Sequence, residues 1–392
     1  MAFRLPPGLL LLDHHCHSVT AADLSDDAFG SLLTESDRPQ PPGTSAWDSA
    51  LGLAVRRWCP PALGLEPHAP AADYLARRRE LGPQRATGAL LRAAALDACL
   101  VDTGLTEAAG APLLDLPALA RAGGARVREV VRLEQVAERL HSSSDGGSDG
   151  GPDGGPAGGS GTTAARFGAD VAEALAATVR ERDAIAVKSV AAYRHGLELD
   201  PARPSAAETA RAAGEWLAAP AARLDHPVLL RHLLWTAVDL GLPIQLHTGF
   251  GDPDLTLHRA DPSLLTPFVR AVEPSGVPLV LLHGHPYHRQ AAWLAQAFPH
   301  VHCDLGLTLS YTGPGAVRVL GEFLELAPFG KVLFSTDAFG LPELFLTGAA
   351  AFRHALGALL ADWIREGACG PADAHRLAAM LASGNARRLY GL

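Results

Sequence analysis

His15 and His17 stand one residue apart at the end of an apolar run, Leu9-Leu10-Leu11-Leu12-Asp13. In an extended strand alternate side chains share a face, so the two imidazoles point together while His14 and Cys16 point away. Two neutral imidazoles on one face supply two ligands for a divalent cation. Three more residues of matching chemistry close apolar runs further along. His247 ends Ile244-Gln245-Leu246-His247, His283 ends Leu281-Leu282-His283, and Asp337 ends Val332-Leu333-Phe334-Ser335-Thr336-Asp337. If the runs are parallel strands of one barrel, all five side chains meet on one rim. A Lewis-acidic cation held there lowers the pKa of a bound water from ~15.7 toward ~7. A neighbouring carboxylate then accepts the water's proton and returns it to a leaving amine. Imidazole and carboxylate ligands suit Zn²⁺, and Ni²⁺, Fe²⁺ or Mn²⁺ also fit, because availability often decides among them.

The elements that must position these residues read as eight strands. They are Leu9–His15, Leu96–Val101, Val127–Leu133, Ala184–Ser189, Pro243–His247, Pro278–His283, Val301–Asp304 and Lys331–Ser335. Several are continuously apolar, such as Leu279-Val280-Leu281-Leu282, as parallel strands buried on both faces are. Helical patterns lie between most of them, for example Gln290–Phe298 and Val317–Leu326. This alternation predicts an α/β fold, a (β/α)₈ TIM barrel. No G-x-G-x-x-G follows the first strand, which disfavours a dinucleotide-binding open sheet. Residues 1–392 read as one barrel unit with two departures. Residues 18–95 form an insertion after strand one, helix-compatible at Ala71–Leu81 and Thr87–Ala95, and are expected as a helical cap. His141–Thr163 contains Gly146-Gly147-Ser148-Asp149-Gly150-Gly151-Pro152 and is expected as a disordered loop, because it has nothing apolar to bury. Ala372–Leu381 and the stretch through Tyr390 read as a closing helix pair.

Bulk composition narrows the function. The 392 residues are 48% hydrophobic, enough for a large core. The net charge is −9, from 33 basic and 42 acidic residues, and aromatics are 6%; neither favours a nucleic-acid partner. Five scattered cysteines (Cys16, Cys59, Cys99, Cys303, Cys369) make no C-x-x-C pair and no disulfide framework, which predicts a reducing, cytoplasmic setting. The first residues lack a leader-like apolar region with a small-residue cleavage site, and no uncharged apolar stretch reaches the ~18–20 residues a membrane span needs. The expected partner is a small-molecule substrate, with no nucleic acid and no membrane.

The pattern of H-x-H after strand one, His after strands five and six and Asp after strand eight resembles the amidohydrolase superfamily. Asp13-His14-His15-Cys16-His17, Val187-Lys188-Ser189 with Tyr193-Arg194, and Ser335-Thr336-Asp337 look closest to its amidohydrolase-2 branch. They resemble the amidohydrolase domain fused to glutamine-synthetase-like domains in some proteins. The resemblance implies His15, His17 and His247 as metal ligands and Asp337 as ligand or near-ligand and proton acceptor. It implies His283 as the group that polarises a substrate carbonyl or shuttles a proton. The implied activity is hydrolysis of an amide-type C–N bond in a small polar, carboxylate-bearing substrate. The fusion hints at γ-glutamyl or related amine metabolism. The alternative within the branch is a metal-dependent, non-oxidative decarboxylase, and barrels of this branch often form homodimers.

Lys188 ends the fourth strand; in other branches a lysine there is carboxylated and bridges two metals, whereas the amidohydrolase-2 resemblance favours a non-bridging cation and a single metal. Arg194 could grip a substrate carboxylate bidentately, with Lys188 and Tyr193 beside it. Arg132 and Glu134 could touch substrate or pair with each other. His285 and His288 could orient the metal histidines or lie in solvent. Asp252 and Asp254 could support the site or cap a turn, and Arg77-Arg78-Arg79 reads as a solvated helix face.

Overall fold

The computed structural model describes residues 3–142, 162–219 and 223–392. Eight parallel strands form one sheet in sequential order: β1 (Leu11–Cys16), β2 (Leu96–Asp102), β3 (Arg126–Arg132), β4 (Ala186–Ser189), β5 (Ile244–Thr248), β6 (Leu279–His283), β7 (Val301–Asp304) and β8 (Val332–Leu333). The seam between β8 and β1 is drawn together by backbone hydrogen bonds. His14 N–H donates to Phe334 C=O at 3.1 Å, Asp337 N–H to His15 C=O at 3.0 Å, and His17 N–H to Ala338 C=O at 2.8 Å. The sheet is therefore the predicted (β/α)₈ barrel.

Period-two alternation divides each strand between two cores. Ala98 and Leu100, Ala186, and Val280 and Leu282 point into the barrel with Leu12, Val130 and Leu333. Their neighbours Cys99, Val101, Val187, Leu279 and Leu281 face the surrounding helices. Complete burial of each interior leucine contributes roughly 1.5–3 kcal/mol. The helix Asn385–Tyr390 closes the end of the barrel where the strands begin, sending Tyr390 in among these residues. Asn385 fastens it by donating to the Phe329 and Val332 carbonyls at 2.7 and 2.8 Å.

Between β1 and β2 the chain forms helices Asp26–Ser31, Ala50–Trp58, Ala71–Leu81 and Pro83–Ala93. Pro83–Ala93 packs as an ordinary barrel helix against Leu116–Gly123 and the long helix Pro342–Arg365. That long helix is apolar enough over its 24 residues to cross a membrane by length alone, but its apolar side lies on the helices around the barrel. The solvated face expected at Arg77–Arg79 fails at Arg78. Arg78 is buried, and its Nε donates to Glu343 Oε1 of the long helix at 2.8 Å, where the Tyr74 hydroxyl also donates at 2.9 Å. Most of the Gly-rich tract His141–Thr163 lies outside the described residues.

Candidate functional site

The strand ends deliver the expected residues to one rim, and local backbone irregularities aim them. In β1 the register with β2 shifts between Asp13 and Cys16. The extra residue breaks strict alternation. His14 and His15 therefore both reach the interior, whereas the sequence pattern places His14 outside; Cys16 faces the outer core as expected. After β6, alternation would turn His283 outward, since Leu282 points in. A left-handed backbone at His283 (φ 68°) swings the ring back over the mouth. Asp337 adopts the same region (φ 50°). Non-glycine residues enter it at a cost, and such conformations gather at functional sites. His283 is held by Asp304, whose Oδ1 accepts its N–H at 2.7 Å and that of Gly306 at 3.1 Å. Asp304 Oδ2 accepts His14 Nε2–H at 2.6 Å and the Ser335 hydroxyl at 2.7 Å. Gly249 (φ 79°) is required next to His247: a Cβ there would stand 2.3 Å from the His285 carbonyl oxygen, so only glycine lets the loops after β5 and β6 touch.

The ring orientations are set from behind. Gln245 is fully buried, its amide nitrogen donating to His14 C=O at 2.7 Å and to the Tyr390 hydroxyl at 3.0 Å. Its oxygen is thereby turned to His15 Nδ1 at 2.7 Å, so Nδ1 carries the proton and Nε2 presents a lone pair. His17 Nδ1 likewise donates to the Asp102 carbonyl at 3.0 Å, leaving its Nε2 bare. Both ε nitrogens face Asp337 Oδ1, at 3.1 Å from His15 and 3.6 Å from His17. One nitrogen of each ring and one oxygen of Asp337 lie within 4.8 Å of one another. Oδ2 of Asp337 faces His283 Nε2 at 3.3 Å. His247 stands outside the tight set, its ring 4.8 Å from that of His283 and 4.4 Å from Tyr193. Its Nε2, both nitrogens of His283 and Asp337 Oδ1 are buried without a hydrogen-bond partner.

Burial pushes the four imidazoles below their ordinary pKa, His17 to about 4, so each is neutral near pH 7. Burial pushes the Asp337 carboxyl up to about 6. Burial also lowers the Lys188 ammonium, against the pull of Asp102 and Asp337; its Nζ lies 3.2 Å from His15 Nε2. Lys188 meets the His15 lone pair, but the His17 lone pair still faces the carboxylate oxygen across 3.6 Å, a repulsion that positive charge between them would relieve. The donor set of His15, His17 and Asp337, with His247 adjacent, fits a divalent cation.

The remaining candidates separate. Tyr193 lies over the site. Arg194 is turned from it to Glu138, with Nη2 to Oε1 at 3.1 Å. Arg132 pairs with Asp102 through Nε and Nη2, at 3.1 and 2.7 Å to Oδ2. Burial raises the Asp102 carboxyl, but Arg132 and His17 outweigh it and hold it below the usual carboxylate range. Glu134 accepts from the Ser189 hydroxyl at 2.6 Å and Val190 N–H at 3.0 Å, holding the loop after β4 rather than pairing with Arg132. His285 and His288 stack on each other, and His288 pairs with Glu322 at 3.0 Å, away from the cluster. Asp254 pairs with Arg223.

Sequence reasoning did not single out Gln245, Asp304, Asp102, Tyr390 or Glu35. Asp102 and Asp304 end strands just as Asp337 ends its run, so the same signal marks them. Gln245 lies two residues before His247 on the inward face. Glu35, in the insertion, has no periodic signal; its Oε1 accepts the Tyr311 hydroxyl at 2.8 Å, and the charge of Asp337 acts on it.

Comparison with known proteins agrees with this architecture. The profile of the amidohydrolase family matches residues 117–392. The protein fluG of Emericella nidulans is 29% identical over 281 residues, 68% of this chain and 32% of that protein, so the chain spans about a third of this relative's length. A Lactobacillus casei protein, provisionally assigned as a metal-dependent hydrolase, superposes with a TM-score of 0.79 at 25% identity, covering 97% of this chain and 95% of that one. The uronate isomerase of Thermotoga maritima shares the fold, with a TM-score of 0.62 at 13% identity over 97% of this chain and 94% of its own. The histidine and aspartate rim on a parallel eight-stranded barrel and the profile match together place this chain in the amidohydrolase family.

Proposed function

We propose that the protein is a metal-dependent hydrolase that cleaves an amide-type C–N bond in a small polar substrate. The observation that carries the reading is the convergence of the His15 and His17 ε nitrogens on Asp337 Oδ1, with Oδ2 left toward His283. His15, His17 and Asp337 Oδ1 would hold a divalent ion, with His247 as the next donor and Zn²⁺ as the first choice for this set. Bound there, the ion supplies Lewis acidity, polarising a carbonyl and lowering the pKa of water. Asp337 Oδ2 takes a proton from the attacking water as the water oxygen bonds to the carbonyl carbon. The same carboxyl gives that proton to the amine nitrogen as the C–N bond breaks, so the products are a carboxylic acid and an amine. His283, kept neutral by burial, offers its ring N–H to the carbonyl oxygen as negative charge gathers there. Lys188 supplies a buried amine beside His15 Nε2, on the side that faces Asp337. Arg132 and Arg194 each already pair with an acid, Asp102 and Glu138.

The test is elemental analysis of the purified protein, followed by assay against amides, including γ-glutamyl amines, and against aromatic carboxylates. Metal at one equivalent and amide turnover lost in Asp337→Asn support the reading. Turnover of aromatic carboxylates alone, with release of carbon dioxide, would make the protein a lyase of the same family instead.

A further inference from the structure

Over the histidine cluster lies a wall of carboxyl groups and aromatic rings. Glu35, half-buried in the loop after the Asp26–Ser31 helix, accepts the Tyr311 hydroxyl through Oε1 at 2.8 Å, and no hydrogen bond engages Oε2 among the described residues. Asp252, also half-buried, accepts the Asp254 N–H through Oδ1 at 3.0 Å; among the described residues no cation is ion-paired with it, and Arg223, whose charge reaches it, is bonded to Asp254. Tyr193 bridges the two levels: its ring lies 4.4 Å from His247 and its hydroxyl meets the Asp252 backbone. Tyr311 packs on Phe250 at 5.5 Å. The charges of Asp252 and Asp337 both bear on Glu35, and those of Glu35 and Asp337 on both tyrosines, so these groups face one space. Burial pushes the Glu35 carboxyl up to about 7 and raises that of Asp252, so both take up protons readily where no cation faces them, and a bound cation would hold them ionised. Aromatic faces beside carboxylates suit an ammonium group in particular.

We infer that Glu35 and Asp252 select substrates that carry a protonated amino group remote from the bond to be cut. The inference rests on the hydrolase reading above and narrows its substrate class: the amide's carbonyl lies at the histidine cluster, and its ammonium end lies against Glu35, Asp252 and the rings of Tyr193 and Tyr311. The sequence, with Arg194 free to act, suggested a substrate carboxylate; with Arg194 bound to Glu138, the unmet charge at the mouth is negative.

Three amides of similar length test this on the zinc-loaded protein: γ-aminobutyramide, neutral valeramide and anionic glutaramate. The expected kcat/KM for γ-aminobutyramide exceeds that for valeramide by roughly tenfold to a hundredfold, the range of a charge-assisted hydrogen bond. Glu35→Gln and Asp252→Asn each shrink that ratio, mainly through KM, and Glu35→Lys turns the preference toward glutaramate. A purely structural role for Glu35 would not reverse the preference. Equal kcat/KM for cation and neutral amide, or a ratio that survives in both Glu35→Gln and Asp252→Asn, overturns the inference. So does loss of a second metal equivalent in Glu35→Gln, which would make the carboxylates ligands of an ion. If none of the amides is hydrolysed, it is the hydrolase reading that fails on these bonds. Calorimetric titration with butylammonium and with butanol then decides the charge preference separately: tighter butylammonium binding that Glu35→Gln abolishes supports the wall, and equal binding overturns it.

Discussion

Gln245 offers the sharpest test of how the site is built. Its oxygen fixes the proton of His15 on Nδ1, and its nitrogen ties that arrangement to His14 C=O and Tyr390. Gln245→Leu keeps the volume roughly and removes all three bonds. Loss of the partner that orients a metal histidine typically weakens metal binding 10- to 100-fold, or about 1.4–2.7 kcal/mol. The same change strands the His14 carbonyl and the His15 N–H in a fully buried place, while the Tyr390 hydroxyl keeps its bond to His14 Nδ1 at 3.1 Å. At ~1 kcal/mol or more for each unmet group, the fold should lose roughly 2 kcal/mol. Gln245→Glu separates the two effects, because its carboxylate still accepts from His15 Nδ1 but cannot donate to His14 C=O. Its Zn²⁺ affinity should stay within about threefold of the original, since the orienting acceptor survives. Zinc dissociation constants from competition with a chromophoric chelator, alongside urea unfolding of the metal-free proteins, measure both quantities. If Gln245→Leu binds zinc like the parent, or Gln245→Glu is as weak as Gln245→Leu, the tautomer argument is wrong.

Other outcomes follow from the same structure. Asp337→Asn should lower kcat by about 10²–10⁴, the usual worth of a placed general base, in steady-state assays of metal-loaded protein. Because burial raises the Asp337 carboxyl to about 6, it holds a proton that metal uptake must expel at lower pH. Apparent zinc affinity should therefore fall by about tenfold per pH unit below 6; calorimetry in two buffers of different ionisation enthalpy would detect the released proton, and none released at pH ~5.5 would contradict the shift. Asp13, buried beside Thr336, has its carboxyl pushed up from 3.8 to about 8, mainly by burial. The folded metal-free protein then binds a proton that the unfolded chain has lost, so stability declines as pH rises through that window. Asp13→Asn should flatten the decline between pH ~4 and ~8 in denaturant titrations. Arg78→Met leaves Glu343 uncompensated and should cost about 3–5 kcal/mol, whereas pairing it with Glu343→Leu should recover most of the loss in the same unfolding measurement.

The barrel was legible because buried parallel strands spell themselves as short apolar runs, and because catalytic barrels place polar residues where those runs stop. Val301–Asp304 coincides with β7, and the strand ends at His247, His283 and Asp337 do meet on one rim. What escaped is what alternation and local pattern do not encode. A single extra residue in β1 carries His14 inside, and a left-handed backbone at His283 reverses its side. The fate of Arg194 depended on Glu138, a helix residue 56 positions away whose inward turn no periodicity announces. Gln245 read as one more strand residue, because its role exists only through His15 and Tyr390, at opposite ends of the chain. Glu35 sits in a loop, where sequence carries chemistry but not direction.

The seam between β8 and β1 has a temporal meaning. His15 is made among the first residues of the barrel, but the carboxylate it faces arrives 322 residues later, and the tyrosine behind Gln245 later still. On the ribosome, an emerging chain thus exposes its paired histidines long before any cage exists to retain an ion. An ion held by His15, His17 and Asp337 together would be captured only once synthesis has passed Asp337, in a finished pocket rather than on a nascent peptide.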